Sequence, residues 1–453
     1  MQDTQKRKLT IIGAGSAMFT QGLVMDLLNN TNGYKWQISL VDIDEPVLIS
    51  VAKLVKKMIE YKKSDVALSH TTDRKEALDG SDYVVVTIGA GGRRAWEQDV
   101  YIPRKYGVMQ PVGDTAMPGG ISRALRMVPA MVDIAKDIEA ICPNATFINY
   151  SNPMAVICKA VSKKVGIPMT GLCIGVPDSV SYIADTAGLP KDECTAYWGG
   201  INHCTFVYDF RHNGKNAWHT VLDALENKDL ADLDDVIDPF KGGKKKTKIG
   251  EPFSWWFLKN YGAYLAPGDR HVSEFFTEYF PDGNYYGRIL GKDAFSFEGT
   301  IEYGDKIHRD AMNTAASGEP LTDEFFKKFG GEHEQLMEII WSIEHDESKI
   351  FSANVVNNGA LPGINNDSVV EIPCAAGAHG ITPVQQPQFP SIFAALTNRF
   401  LSCVDITAEA ALTGSRNLFI QAILMGGYLN DKNAAEKMAD ELLMAQKQYL
   451  PQF

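Results

Sequence analysis

An α/β chain, with an N-terminal doubly wound parallel sheet and a C-terminal mixed α+β, largely helical region, is the fold this sequence predicts. Three observations carry the prediction. Short β-rich runs alternate with helical spacing through the first 150 residues. A glycine turn sits directly between the first run and the first helical stretch. Helical patterning then dominates from residue 251 onward, with one extended stretch near Ser368–Pro373.

Residues 8–13, Lys-Leu-Thr-Ile-Ile-Gly, form the first β-rich run, and residues 16–30 follow with Phe19, Leu23 and Leu27 at helical spacing. Trp36–Asp42 reads as the second strand and ends on a carboxylate. Tyr83–Ile88 is a further strand, followed by the flexible Gly89-Ala90-Gly91-Gly92. A helical pattern covers about 121–140, and Thr146–Tyr150 is the next strand. Strands separated by helices need crossover connections, which makes the sheet parallel. The sharpest composition shift lies at 226–250, acidic from Asp232 to Asp238 and basic from Lys241 to Lys248; a solvated loop is the simplest reading.

At 453 residues the chain is too long for one compact core. A formal net charge of -12 argues against nucleic acid or an anionic membrane as a general partner. No apolar run is long enough to span a bilayer, and the N-terminus lacks the apolar core of a signal peptide, so a cytoplasmic location is expected. Seven cysteines, an odd number widely scattered, do not form a disulfide framework.

Chemistry enters at four places. Gly13-Ala14-Gly15-Ser16 lies where backbone N–H groups and a helix N-terminus can hold a pyrophosphate. The dinucleotide fingerprint expects glycine at position 18; Met18 stands there, implying looser helix–strand packing. Asp42 suits a ribose hydroxyl and favours NAD+ over its 2′-phosphorylated relative. Cys173 and His203 offer a thiolate and an imidazole to a divalent ion, although a cysteine or histidine of this kind taken alone is more often a packing residue. Tyr261–His271 crowds a phenol, a carboxylate, a guanidinium and an imidazole into one Gly/Pro-bearing loop.

Together these stretches resemble glycoside hydrolase family 4, the NAD- and metal-dependent glycosidases with a lactate/malate-dehydrogenase-like fold. The resemblance rests on Ile12–Ser16, Val41–Asp44, Ile102–Gly107, Val112–Thr115 with Pro118–Ile121, Asn149–Met154, Gly200–His203, Val370–Pro373 and Ala410–Gly414. It spans nearly the whole chain and implies NAD+ and Mn2+, or another divalent metal, as cofactors. The implied cycle oxidises the sugar at C3, removes the C2 proton, eliminates the C1 leaving group, adds water and returns the hydride. Cys173 and His203 would hold the metal. Gly13, Gly15, Ser16, Met18, Phe19, Asp42 and Gly89 would bind the dinucleotide, and Asn152, Arg94, Arg270 and His271 the sugar. Tyr264 matches the family base.

Several family branches place Asp, Asn or His after the metal cysteine, where this chain has Ile174. An isoleucine gives no proton, so the leaving group would draw one from Asp114 first or Asp269 second. The same position turns the expectation from 6-phosphoglycosides toward unphosphorylated, including uronic acid, glycosides, with Arg270 clamping a uronate. A 6-phospho-glycosidase, a hydroxy-acid dehydrogenase and a nucleotide-sensing regulator stand as alternatives. An NAD-binding region at 1–200, a substrate, metal and oligomerisation region at 201–453, and a homodimer or homotetramer are expected.

Overall fold

The computed structural model describes residues 5–226, 250–327 and 335–453. The acidic and basic runs of 232–238 and 241–248 lie outside the described residues.

One sheet of 13 strands organises the molecule. Its strands in chain order are β1 (Lys6–Ile12), β2 (Lys35–Val41), β3 (Ala67–Thr71), β4 (Tyr83–Val86), β5 (Thr146–Asn149), β6 (Met169–Gly171), β7 (Cys194–Ile201), β8 (Cys204–His212), β9 (Lys215–Asn216) and β10 (Tyr264–Ala266). The small separate pair β11 (Asn284–Tyr285) and β12 (Arg288–Ile289) follows, then β13 (Lys349–Val356), β14 (Val369–Gly377) and β15 (Gly380–Pro383) return to the main sheet. Across the sheet the order is β10-β8-β7-β14-β13-β6-β5-β4-β1-β2-β3, with β15 on β14 and β9 on β8.

The stretch from β3 to β6, in spatial order 3-2-1-4-5-6, is parallel throughout. That is the dinucleotide-binding order, and its connections reverse between β1 and β4, where ligands bind beyond the strand ends. Helices cover both faces, so the strands are buried on both sides. All four residues of β4, Tyr-Val-Val-Val, are buried, and β1 ends on four buried positions. Beyond β6 the pairing turns antiparallel, beginning with β13.

The expected elements stand close to their positions: 8–13 is β1, 16–30 the helix Ala17–Asn29, 36–42 is β2, 83–88 is β4, 121–140 the helix Met117–Ile141 and 146–150 is β5. The extended stretch near 368–373 is β14. Its partner β13 and the helix Glu45–Lys62 carry no expectation above. That helix begins on a cap, the Asp44 side chain accepting from Val47 N at 3.2 Å, with Pro46 in the first turn.

A buried ion pair ties the C-terminus to this frame. Arg126 donates to both oxygens of Asp99 at 3.0 and 2.5 Å and, through Nε, to the carbonyl of Ala90 at 2.8 Å. Gln446, ending the helix Lys432–Gln446, adds a bond to Asp99 at 3.1 Å. The turn after β4 is thereby fixed from behind. All seven cysteines are free thiols. Among the described residues no helix is long and apolar enough to cross a membrane.

Candidate active site

At the switch point, β1 leads into a turn held by its neighbours. Gly13 N and Ala14 N both donate to Val41 O, at 2.9 and 3.0 Å, and Thr87 Oγ1 donates to Gly13 O at 3.0 Å. Gly13 has φ +92°, and a Cβ there would lie 2.7 Å from Ile88 N, so only glycine fits. Asp42 reaches across from the end of β2: its Oδ2 accepts from Gly15 N at 2.7 Å and its Oδ1 from Asp44 N at 3.0 Å. Ser16 begins the helix Ala17–Asn29 without a side-chain cap, leaving that N-terminus to an anion. Met18 is half exposed, Phe19 packs on Tyr150 at 5.7 Å, and Gly89 lies exposed beyond β4. Gly13, Gly15, Ser16 and Asp42 therefore form one grouping at the ends of β1 and β2, and Gly89 follows the neighbouring strand β4.

The second grouping forms where four segments meet. Asp114 comes from the loop before the helix Met117–Ile141, Asn152 follows β5, His203 tips the β7–β8 hairpin, and His271 lies in the short helix Asp269–Val272. Ligand atoms of Asp114, His203 and His271 lie within 4.8 Å of one another. Gly120 lets the Asp114 loop press on the helix start, since a Cβ there would meet Thr115 backbone at 2.4 Å. His203 occupies a two-residue turn with φ +66°, a position that favours glycine. Backbone strain of this kind persists where the surroundings enforce it, and marks functional positions.

Hydrogen bonds orient these groups. Thr115 Oγ1 donates to Asp114 Oδ1 at 2.7 Å and lies 2.8 Å from His203 Nδ1. With its one proton given to Asp114, Thr115 accepts from His203 Nδ1–H, which assigns the tautomer and leaves Nε2 as a lone-pair donor. Asn152 Nδ2 donates to Asp114 Oδ2 at 3.2 Å, while Asn152 Oδ1 is buried without a hydrogen-bond partner among the described residues. The His203 and His271 rings are 4.1 Å apart. Burial pulls the pKa of His203 down, and burial with the neighbouring His203 and Arg270 pulls that of His271 far down, keeping both neutral. The two neutral imidazoles are donors that fit a divalent cation, and the Asp114 carboxylate lies within 4.8 Å of both.

Cys173 stands outside that 4.8 Å grouping. It is half-buried just before the helix Gly175–Ala187, and its Sγ accepts from Gly175 N at 3.4 Å. A helix N-terminus favours an anion there. Arg270 donates to Thr300 Oγ1 at 2.9 Å and feels both Asp114 and Glu274.

Three expected residues stand elsewhere. Asp269 is buried and accepts from Phe253 N, Ser254 N, Ser254 Oγ and Tyr285 OH at 2.7, 2.8, 2.7 and 2.6 Å. Its carboxyl thus caps the helix Pro252–Tyr261. The Tyr264 ring packs against Trp255 at 4.6 Å in an apolar cluster with Val207 and Phe210. Burial pushes its phenol well above the ordinary value, opposite to what a base needs. Arg94 is exposed and bonded to Glu97 and Asp305 at 2.9 and 2.7 Å.

Thr115, Arg123 and Glu274 belong to the site without having been expected there. Arg123 Nε donates to Asn152 O at 3.0 Å, and its guanidinium lies 5.7 Å over the Trp96 ring. A pair of arginines at i and i+3, Arg123 and Arg126, just after Pro118-Gly119-Gly120 was the available signal. Glu274 Oε1 accepts from Val112 N and Gly113 N at 2.8 and 2.7 Å, fixing the loop that carries Asp114.

Burial pushes the Glu274 carboxyl up to about 8, from an ordinary 4.5. A raised acid stabilises the fold fully below its unfolded pKa, and that stability is lost as pH rises through the folded pKa. Glu274→Gln keeps an acceptor for both N–H groups and has no proton to lose. Between pH 5 and pH 8.5 the variant should gain about 2–4 kcal/mol on the wild type in urea unfolding. Parallel pH profiles would contradict this.

Comparison with known proteins adds the following. A sequence model of family 4 glycosyl hydrolase matches residues 8–187, and one of the family 4 glycosyl hydrolase C-terminal domain matches residues 198–426. The chain is 29% identical to an alpha-galactosidase of Bacillus subtilis over 457 residues, covering 99% of this chain and 100% of that one. It is 27% identical to an alpha-galacturonidase of Lachnoclostridium phytofermentans, covering 98% and 97%. Its fold is similar to that of a 6-phospho-alpha-glucosidase from gut microorganisms solved with NAD and Mn2+, at TM-score 0.81 and 18% identity, covering 99% and 100%.

Proposed function

The chain belongs to the family 4 glycosyl hydrolases, and we propose that it cleaves unphosphorylated glycosides, uronides foremost, with NAD+ and a divalent cation as resident cofactors. The observation that carries this reading is the meeting of Asp114, His203 and His271 beside Arg270, at the end of the sheet that carries the Gly13 turn. Gly13, Gly15, Ser16 and the Asp42 carboxylate fit a dinucleotide, as the uncapped helix and the glycine-only turn indicate. Asp114, Asn152 and Cys173 come from residues 1–200, and His203, Arg270 and His271 from 201–453, so the site forms at the junction.

When bound, NAD+ supplies hydride acceptance and return at C3, and a divalent ion supplies an electrophile for the charge that develops there. The protein's part is positioning and proton movement. His203 Nε2, with His271 and Cys173, provides soft and borderline donors to the ion. Asn152 Oδ1 accepts from a sugar hydroxyl, satisfying its buried lone pairs. Arg270, steadied by Thr300, holds the substrate carboxylate. Asp114 Oδ2, on the Asn152 side, takes the C2 proton, while Oδ1 stays bonded to Thr115. Ile174 beside Cys173 offers a phosphate no hydrogen bond, which supports the unphosphorylated reading; the relatives include both alpha-galactosidases and 6-phospho-glucosidases and do not divide the two.

Asp114 therefore replaces Tyr264 as the proposed base. Asp114→Asn should lower kcat at least ~100-fold, whereas Tyr264→Phe should change kcat less than about threefold and cost about 1 kcal/mol of stability. A large C2-deuterium isotope effect appearing only in Tyr264→Phe would reverse the assignment. The reading as a whole is tested by a panel of nitrophenyl galacturonide, glucuronide, galactoside, glucoside and 6-phosphoglucoside with Mn2+, NAD+ and a thiol reductant. Aglycone release from the uronides, with NAD+ needed only in catalytic amount, is expected. Turnover of the 6-phosphoglucoside alone, or stoichiometric NADH without aglycone release, would overturn it.

A further inference from the structure

A row of four residues crosses the sheet directly behind the site. Gly200 of β7 pairs with Glu371 of β14, Glu371 with Asn354 of β13, and Asn354 with Gly171 of β6. The first and last of these are the single register pairs by which β14 meets β7 and β13 meets β6. One end of the row lies three residues before His203, the other two residues before Cys173.

The side chains follow the same line. Glu371 is 2% exposed, and its Oε2 accepts from Thr205 Oγ1 at 2.7 Å, on the β8 arm of the His203 hairpin. Its Oε1 accepts from Asn354 Nδ2 at 3.2 Å, which also reaches toward Gly171 O at 3.5 Å. Asn202, at the hairpin tip, is fully buried; it lies close enough to Glu371 to favour the carboxylate, though outside ordinary hydrogen-bond geometry. Burial pushes the Glu371 carboxyl up to about 7. Between two antiparallel pairings an apolar residue would fill this position at less desolvation cost, as buried polar groups are expensive unless partnered.

We propose that Glu371 and Asn354 are positioning residues for the cation site, a buried bridge that sets the separation of the His203 hairpin from the Cys173 strand end. The inference rests on the reading of Cys173 and His203 as ligands. Partners hydrogen-bonded to metal ligands govern affinity by about 10–100-fold, and Glu371 and Asn354 act one link further out, through Thr205 and Gly171 on the segments that carry His203 and Cys173.

The test measures Mn2+ affinity of the full-length protein by the electron paramagnetic resonance signal of free Mn2+. NAD+ affinity and thermal midpoint are followed in parallel. Glu371→Gln replaces one acceptor oxygen by a donor and removes the carboxylate charge, and should weaken Mn2+ binding about 10–100-fold with NAD+ affinity unchanged. It should also shift the near-ultraviolet thiolate charge-transfer band of the Co2+-loaded protein. Adding Asn354→Asp reverses donor and acceptor across the same contact and should restore most of the Mn2+ affinity. Thr205→Val, which removes one bond to Glu371 at constant shape, should weaken Mn2+ binding about 3–10-fold, and serves if Glu371→Gln does not fold. Mn2+ affinity within twofold of wild type in Glu371→Gln, or equal loss of Mn2+ and NAD+ binding, would overturn the proposal. Wild-type Mn2+ affinity in both Cys173→Ala and His203→Ala would instead remove the ligand reading beneath it.

Discussion

Alanine at position 203 should lower kcat/KM for glycoside hydrolysis by about 10³-fold or more while leaving the fold nearly as stable as before. The size of the loss comes from what converges on this imidazole. Its Nδ1 is committed to Thr115 at 2.8 Å, its ring lies 4.1 Å from His271, and Nε2 is the atom left to ligate. Removing a charge-stabilising group from a preorganised site costs about 3–4 kcal/mol of transition-state stabilisation, and loss of a metal ligand is at the upper end. Stability should respond little, because a buried neutral imidazole contributes modestly, so a change of about 1 kcal/mol or less is expected. Steady-state kinetics with added Mn2+ and thermal unfolding of the same preparation measure both quantities. Retention of a tenth of wild-type activity would show that the ion is held elsewhere.

Gly13→Ala carries the second large effect, in the opposite balance. The turn has φ +92°, and the added Cβ would lie 2.7 Å from Ile88 N and 2.8 Å from the Thr87 carbonyl carbon, both main-chain atoms. Main chain directly after the central strand β4 cannot swing aside as a side chain can, so either the β1 turn or the end of β4 must shift. A cost of about 2–4 kcal/mol in stability is expected from strain and overpacking. The N–H groups of the turn would be displaced with it, and NAD+ affinity should fall about 100-fold, since geometry at a pyrophosphate is set to within fractions of an ångström. Fluorescence titration with NAD+ and urea unfolding measure the two losses. A variant with wild-type values for both would mean that the turn is looser than its packing indicates.

Much of the first half of the fold could be read from the chain, because parallel strands are buried on both faces and announce themselves as unbroken runs such as Tyr83-Val84-Val85-Val86. Glycine at 13 was equally legible, since its conformational demand is local. The site was legible only where the signal was local too. Asp114, Asn152 and His203 sit on short motifs, and the structure brings them together. Arg94 and Asp269 illustrate the limit: charge type is visible in sequence, but partners 15 to 211 residues away decide its use. Arg94 is taken up by Asp305, and Asp269 by a helix start. Tyr264 shows the same for burial, as Trp255 and Tyr182 enclose its ring. Glu371 sits in the quoted Val370–Pro373 motif, yet its importance depends on register across four strands, which no single segment encodes.

The narrowness of the joint between the two halves of the sheet has a mechanical consequence. Parallel and antiparallel parts are fastened through Asn354 and Gly171, and β14 to β7 through Glu371 and Gly200, one register pair each. A joint bridged by one backbone pair on each side has few ladder bonds to resist a change of angle between the two halves. Cys173 and His203 stand two and three residues from those two pairs, so any such bending would change the separation between them less than that of residues farther along the strands.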